Sequence, residues 1–381
     1  MKRVDAVVIG GGPAGATAAF VLAKAGMSVV VLDTAVFPRE KLCGGLLSRR
    51  AEKTYSHIFK TPWDGVLDCT CLGALFFDRY RPIQSVEHRQ PIHFTSRSAF
   101  DAHLLSLARK AGAVIREGTR AQSVCPSSST VQLASGTIEA DFIIGCDGVT
   151  SRVAETIGLP RLKKAGLAAG LELHVPRAAF PRQPENPEIY FRIARWGYGW
   201  VFPKRDCLTI GLAGLARENR NLRQLFVDFV RELNGGQLPA VQWKGHPIPF
   251  GNYRPRPGLR NILLAGDAAG LVEPVTGEGI AFAMESGGHA GEAVIAAASL
   301  GEPAAALSLY LPDYSRMTTL FRHARIMRNL IFPAVTQPVF LRLLARSRSV
   351  AARYLDLVAG DIDYSTYARC LITVLIRHLL V

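Results

Sequence analysis

Gly10-Gly-Gly-Pro-Ala-Gly15 is set between the β-branched apolar run Val4–Ile9 and the alanine-rich stretch Ala16–Ala25. A second apolar run, Val29–Leu32, follows and ends on Asp33. Strand, glycine turn, helix and strand form the βαβ unit in which such a turn signals a dinucleotide. Gly10 allows the turn, Gly12 lets the backbone approach a pyrophosphate, and Gly15 brings helix and strand together. Pro13 and Ala14 open the helix, whose free N–H groups and dipole favour phosphate. Asp33 stands where an acid accepts the hydroxyls of the adenosine ribose. The turn alone does not separate FAD from NAD(P).

Some 250 positions later the chain reads Ala265-Gly-Asp-Ala-Ala-Gly-Leu-Val-Glu-Pro-Val-Thr-Gly-Glu-Gly-Ile280. Here another strand, Asn261–Leu264, ends on Gly266 and Asp267, whose carboxylate can accept a bond from a ribityl hydroxyl. Between the two stretches, Ile143-Ile-Gly-Cys-Asp147-Gly148 repeats the arrangement of strand, Asp and Gly. Each pair alone is an ordinary turn signal. Pro274, Gly277 and Gly279 precede a helical stretch that begins at Ile280 and leave free amides at its start. A flavin ring placed there would have its reduced, anionic edge stabilised by the helix N-terminus. Taken in this order, the motifs indicate FAD.

The chain resembles the FAD-dependent oxidoreductases of the para-hydroxybenzoate hydroxylase fold from Arg3 to about Leu300. The resemblance implies that Arg97, in Ser96-Arg-Ser-Ala-Phe100, contacts the flavin ahead of a helix. It also implies an α/β (α+β) architecture: a Rossmann-type FAD-binding lobe, an inserted antiparallel β-sheet substrate lobe and a C-terminal helical region. The FAD-binding domain is expected over residues 1–66, 94–159 and 258–300, the substrate domain over 67–93 and 161–257, and the helical region over 301–381. The substrate lobe is expected to hold a strand pair, Tyr190–Pro203 and Leu208–Gly214.

Two further stretches narrow the reaction. Pro38-Arg-Glu-Lys41-Leu-Cys43-Gly44-Gly45 and Tyr198-Gly-Trp200-Val-Phe202-Pro203-Lys204 look like segments of the geranylgeranyl reductase family. Ala359-Gly-Asp-Ile-Asp-Tyr364 is similar to that family's C-terminal tail. The resemblance implies saturation of isolated prenyl double bonds by flavin hydride, and it makes Cys43, Lys41, Tyr198 and Trp200 the candidate catalytic residues. Cys43 and Gly44 would also lie beside the flavin, although a lone Cys is more often a small buried thiol. Lys41 would neutralise reduced flavin or a substrate phosphate, or stand solvated. Tyr198, Trp200 and Phe202 alternate along one strand and so share a face. That face suits a long apolar chain, or ordinary packing. Cys43, Tyr198 or a bound water would supply the proton.

A single-component flavin monooxygenase or halogenase is the alternative activity on this fold. A non-catalytic flavin redox sensor switched by Cys43 is a third reading, since fold does not give function. No second Rossmann fingerprint is present in the sequence, so electrons would come from transiently bound NAD(P)H or from a reduced carrier protein.

The 381 residues are 49% hydrophobic with a mean hydropathy of +0.16. No run approaches the roughly 18 apolar residues of a spanning helix. Asp5 interrupts the only signal-like start. The seven cysteines form no CxxC pair and no ligand-like spacing with His, so neither disulfides nor a metal site is expected. The net charge of +14 attracts anions in general; with no dense basic tract or stacking motif, nucleic acid is not expected as a partner. From Glu302 onward the chain reads as helical, with Arg316, Arg322, Arg325, Arg328, Arg342, Arg346, Arg348, Arg353, Arg369 and Arg377 among apolar residues. Leu330–Ala345 and Cys370–Val381 suit an interface. The expectation is a cytoplasmic protein with an apolar isoprenoid-type substrate, a redox partner, and peripheral contact with the inner face of a membrane. The other reading of the C-terminal region is a helical cap over the substrate lobe.

Overall fold

The computed structural model describes residues 2–379. Met1, Leu380 and Val381 lie outside the described residues, and with them the end of the stretch read as Cys370–Val381. Two eight-stranded sheets organise the chain. In the first, Lys2–Ile9 lies at the centre between Val29–Leu32 and Gly136–Gly145, parallel to both. Ile262–Leu264 extends this parallel core on one side and Val114–Arg116 on the other. Both faces of such a sheet are covered, so its strands read as continuous apolar runs; all four residues of Val29–Leu32 are buried.

The helix Pro13–Lys24 packs on this sheet, and Ile280–Ser299 lies directly on that helix. The approach is close enough that a Cβ at Gly287 would come within 2.1 Å of the Ala14 carbonyl oxygen. A hydrogen bond from Gly266 N to Ser286 Oγ, at 2.9 Å, ties the Gly-Asp turn to the same helix. The early and late glycine stretches thus meet at one end of the sheet.

The second sheet runs Trp243–Ile248, Ala168–Pro176, Cys207–Leu215, Gly197–Pro203, Glu188–Phe191, Cys69–Asp78, Arg81–Phe94, Leu46–Leu47. All neighbours are antiparallel except Glu188–Phe191 against Cys69–Asp78. The stretch read as one strand over Tyr190–Pro203 is two strands. It breaks where Arg192 and Trp196 adopt positive φ, 64° and 52°, a conformation incompatible with a continuous ladder. Leu46–Leu47, just after the two glycines of the Lys41–Gly45 loop, pairs with Phe94 and His93 of this sheet, so that loop bridges the two sheets.

Both faces of the second sheet are covered. Phe226 and Phe229 of the helix Leu222–Leu233 pack against one face with Ile210 and Leu212. The C-terminal helices cover the other: Phe76 and Phe191 of the sheet contact Tyr354, and Phe191 also contacts Phe340. Fully burying each such ring is worth about 1.5–3 kcal/mol. The region after Glu302 is helical over Ala306–Ile331, Gln337–Arg346, Arg348–Ala359 and Tyr364–Leu379.

Candidate cofactor and active site

A cavity of about 950 Å³ runs between the two sheets. At one end its wall is Gly10, Gly12, Pro13, Ala14 and Asp33, joined by Asp147, Gly148, Gly266 and Asp267. Gly277, Gly279 and Ile280 continue it to Lys41, Cys43 and Gly44, and then to Tyr198, Trp200 and Phe202. Gly15 and Pro274 are not on the wall. Gly15 packs behind it, where a Cβ would lie 1.8 Å from the Gly10 carbonyl oxygen, and Pro274 packs against Gly251.

Gly10 has a φ of 105°, and a Cβ there would come within 2.3 Å of the Cys146 carbonyl oxygen, so this turn requires glycine twice over. Asp33 accepts bonds from Gly11 N at 2.6 Å and Ala35 N at 2.8 Å, which holds the carboxylate at the cavity edge. Asp147 Oδ2 accepts from Arg152 N at 2.7 Å and Val153 N at 3.1 Å, while Oδ1 is buried and unpartnered. Burial raises its pKa, against those hydrogen bonds.

Arg97 is buried and donates from Nε and Nη2 to Asp101 at 2.8 and 2.7 Å. Burial opposes its charge, but Asp101 overrides this and raises its pKa. Arg39, which lines the cavity, reaches the same carboxylate from Nη2 at 3.0 Å, and its Nη1 is buried and unpartnered. Lys41 does not stand alone: Nζ lies 3.1 Å from Asp267 Oδ2. Burial raises the Asp267 pKa, but the Lys41 charge outweighs it and the net shift is down. The Lys41–Asp267 contact spans 226 positions.

Cys43 is held by its backbone, N to Glu172 Oε1 at 3.2 Å, and its Sγ accepts from Gly45 N at 3.4 Å. Gly44 presses on the aromatic strand, for a Cβ there would lie 2.7 Å from the Phe202 ring and 3.3 Å from Trp200 Nε1. Tyr198, Trp200 and Phe202 line up with ring centres 6.0 and 6.1 Å apart. The Trp200 ring occupies the space over Gly211 on the next strand, and its Nε1 is buried and unpartnered. The Tyr198 hydroxyl donates to the carbonyl of Thr276, and burial pushes its pKa up.

Several groups on or beside this wall carry no mark in the sequence. His246 lines the cavity with Nε2 buried and unpartnered, and burial, then Lys41, lowers its pKa. Glu172 is buried with Oε2 unpartnered. Both stand on strands of the second sheet, in positions that no motif announces. Glu278 lies inside the Gly277-Glu-Gly279 motif, where its type was a readable signal. It accepts from the Ser48 hydroxyl and lies 3.8 Å from Arg50 Nε. Burial pushes its pKa up to about 7, with Arg50 pulling the other way. Tyr364, in the tail segment, donates to Glu273 Oε1 at 2.5 Å.

These residues fit FAD. Two helix starts, Gly12–Pro13 and Gly279–Ile280, lack side-chain caps and open on the cavity. Unsatisfied amides of this kind are a site for anions. The orphaned Asp147 Oδ1 and Arg39 Nη1 are an acceptor and a donor that no protein group meets.

A family model described as an NAD(P)-binding Rossmann-like domain matches residues 8–65, and one described as an FAD binding domain matches residues 70–203. The geranylgeranyl diphosphate reductase of Rhodobacter capsulatus is 30% identical over 86% of this chain and 84% of its own length. The chain belongs to the geranylgeranyl reductase family. It is therefore an FAD-dependent oxidoreductase. A menaquinone reductase of Mycolicibacterium smegmatis is 29% identical over 96% of this chain and 95% of its own. A geranylgeranyl bacteriochlorophyll reductase-like protein of Thermoplasma acidophilum superposes with a TM-score of 0.82 at 21% identity, covering 98% of this chain and 100% of that one. A flavin-dependent halogenase superposes at 0.71 and 18% identity, over 100% of this chain and 78% of its own, a likeness of fold.

Proposed function

We propose that the enzyme saturates isolated double bonds of a prenyl or related isoprenoid substrate. The observation that carries this reading is the continuity of the cavity. From the flavin-binding loops it passes the aromatic strand into a chamber walled by Ala74, Phe76, Ile92, Ile189, Tyr354, Leu355 and Val358. A wall of this kind removes a long hydrocarbon from water at roughly 25 cal/mol per Å². The names of the relatives support the same substrate class.

FAD, when bound, supplies the hydride. The chain's own residues position the alkene, exclude water and hold the proton for the second carbon. The Tyr198 hydroxyl keeps its proton and directs it at the Thr276 carbonyl. Cys43 and Glu278, both on the cavity wall, are the groups we assign to deliver one. Lys41 and Asp267 form a mutually neutralised pair beside them. NAD(P)H or a reduced carrier protein supplies the electrons.

Anaerobic turnover of a geranylgeranyl substrate by the dithionite-reduced enzyme tests the reading. Product mass is expected to rise by two hydrogens per double bond as the band at about 450 nm of oxidised flavin returns. Substrate-dependent oxygen consumption with no saturated product would instead establish oxygenation. Cys43→Ser and Glu278→Gln are expected to slow the anaerobic step, one of them by about 100-fold or more. Full activity in either removes that residue as the donor.

We further propose that the enzyme rests on a membrane surface. Among the described residues no helix is long and apolar enough to cross a bilayer. Ile372, Leu375 and Ile376 are exposed on the helix Tyr364–Leu379, and Ile326, Val335 and Val339 on the neighbouring helices and turn. Apolar residues among arginines suit an anionic interface. The enzyme is expected to sediment with anionic liposomes at low salt and to be released at high salt; no sedimentation at either salt refutes the proposal.

A further inference from the structure

His246 is the only histidine among the described residues that line the cavity, and its Nε2 is buried without a hydrogen-bond partner. A buried polar atom left unmet costs free energy that a bound group removes. Strand register sets its position. His246 lies opposite Gly170 on the neighbouring strand, and Lys244 opposite Glu172. Alternation puts all four on one face of the sheet. The Lys41–Gly45 loop closes over that face, for a Cβ at Gly170 would lie 3.7 Å from Leu42 Cδ2. Glu172 holds the same loop through Cys43 N, at 3.2 Å.

The charged groups around His246 come from several segments. Arg39 and Lys41 stand on the loop, Arg97 on the helix Arg97–Lys110, and Asp267 on the turn after Ile262–Leu264. On its own strand, Lys244 is exposed and lies 4.0 Å from Glu40. On the next strand, Glu172 shares a hydrogen bond of 3.1 Å with His174 Nε2. Lys41, Arg97 and Arg39 oppose a charge on the imidazole, and Asp267 favours one. Burial, followed by Lys41, keeps the His246 pKa below its usual value. The ring is therefore neutral at neutral pH until a negative group joins it.

FAD is such a group. Its binding brings two phosphate charges into the cavity, and two-electron reduction adds a negative charge on the ring. An opposite charge within about 4–6 Å raises the pKa of a cationic group by about one to three units. The wall that carries His246 also carries the flavin-binding residues Asp267, Gly277 and Gly279.

We infer that His246 takes up one proton from water each time the bound flavin is reduced and releases it when the flavin is reoxidised. The balance closes. NAD(P)H, or a reduced carrier with water, supplies the two electrons and one proton that the flavin stores as hydride. The imidazole binds a second proton through its free lone pair. On reoxidation the hydride goes to one alkene carbon, and the stored proton replaces the one that Cys43 or Glu278 gives to the other. That last use rests on the prenyl reading; the uptake itself rests on the flavin site alone.

Protein isotope-labelled at histidine Cε1 and loaded with FAD is titrated by NMR, oxidised and after anaerobic dithionite reduction. Loss of one signal in His246→Gln assigns His246 among the nine histidines, and His246→Asn serves if that variant fails to hold FAD. The His246 pKa is expected to rise by about one pH unit or more on reduction. A pKa that stays the same or falls overturns the inference.

Potentiometry gives a readout that a merely structural role would not move. A tenfold change in proton concentration shifts a two-electron couple by about 30 mV for each proton taken up. The wild-type potential is expected to fall by about 60 mV per pH unit between the two His246 pKa values, and that of His246→Gln by about 30 mV. Glu278, with a pKa pushed up to about 7, is another group able to give such a step, so Glu278→Gln is measured beside it. A steep segment that survives His246→Gln and vanishes in Glu278→Gln overturns the inference. Neither readout uses a prenyl compound, so failure to find a saturated product counts against the prenyl reading and not against this one.

Discussion

Asp101→Ala is expected to lower stability by about 3–5 kcal/mol and to leave the purified protein largely without flavin. Asp101 is fully buried, yet it carries no motif of its own. It accepts two bonds from Arg97 and lies 3.0 Å from Arg39 Nη2. Removing it leaves the buried Arg97 charge unpaired and frees Arg39, two of the cations that line the cavity. The loss should appear as a lower denaturant midpoint and as a weaker band near 450 nm per protein. The double variant Arg97→Met, Asp101→Leu separates pairing from packing. Removing both charges is expected to recover much of the stability but not the flavin, because an apolar pair leaves no orphaned ion. If Asp101→Ala costs less than about 1 kcal/mol and retains flavin, the carboxylate is not what holds Arg97 and Arg39 in place.

The second large effect is at Gly15. Gly15→Ala places a methyl group 1.8 Å from the Gly10 carbonyl oxygen and 3.1 Å from Val8 Cγ1. The first of these is backbone at the end of the central strand and cannot rotate away. The first helix must then lift off the sheet, taking its N-terminus out of the cavity. The expected result is insoluble protein, or soluble protein with no bound FAD. Gly12→Ala is the matched control, since its nearest neighbour is Arg39 Nη2 at 3.6 Å and space for the methyl exists in the fold. It is expected to fold with stability within about 1 kcal/mol of wild type and to bind FAD more weakly, because the methyl group occupies the approach to the pyrophosphate. Equal behaviour of the two variants, in denaturation and in flavin titration, would refute the distinction.

The two glycines illustrate how much was legible. A strand, a glycine turn and a helix are local patterns, set by sterics over a few residues, so Gly10–Gly15 and Gly266–Gly279 could be read directly and led to FAD. The single strand expected over Tyr190–Pro203 failed for a local reason too. The left-handed residues Arg192 and Trp196 that break it are not of a type that announces positive φ. Arg39 was within reach, because it lies in the segment that carries Lys41 and Cys43. Glu278 was also within reach, sitting between two glycines that were themselves singled out.

The rest of the site was beyond any local reading. Lys41 reads as a free cation until the fold brings Asp267 to it from 226 positions away. Glu172 and His246 stand on neighbouring strands whose pairing aims them at the Lys41–Gly45 loop. By itself the sequence determined the glycine-rich turns, the aromatic strand and the family, because these depend on residues close along the chain. Only the tertiary structure decided which charges are paired, which polar atoms are left without partners and how far the cavity extends. Those properties depend on burial and on distances between segments that the chain order does not encode.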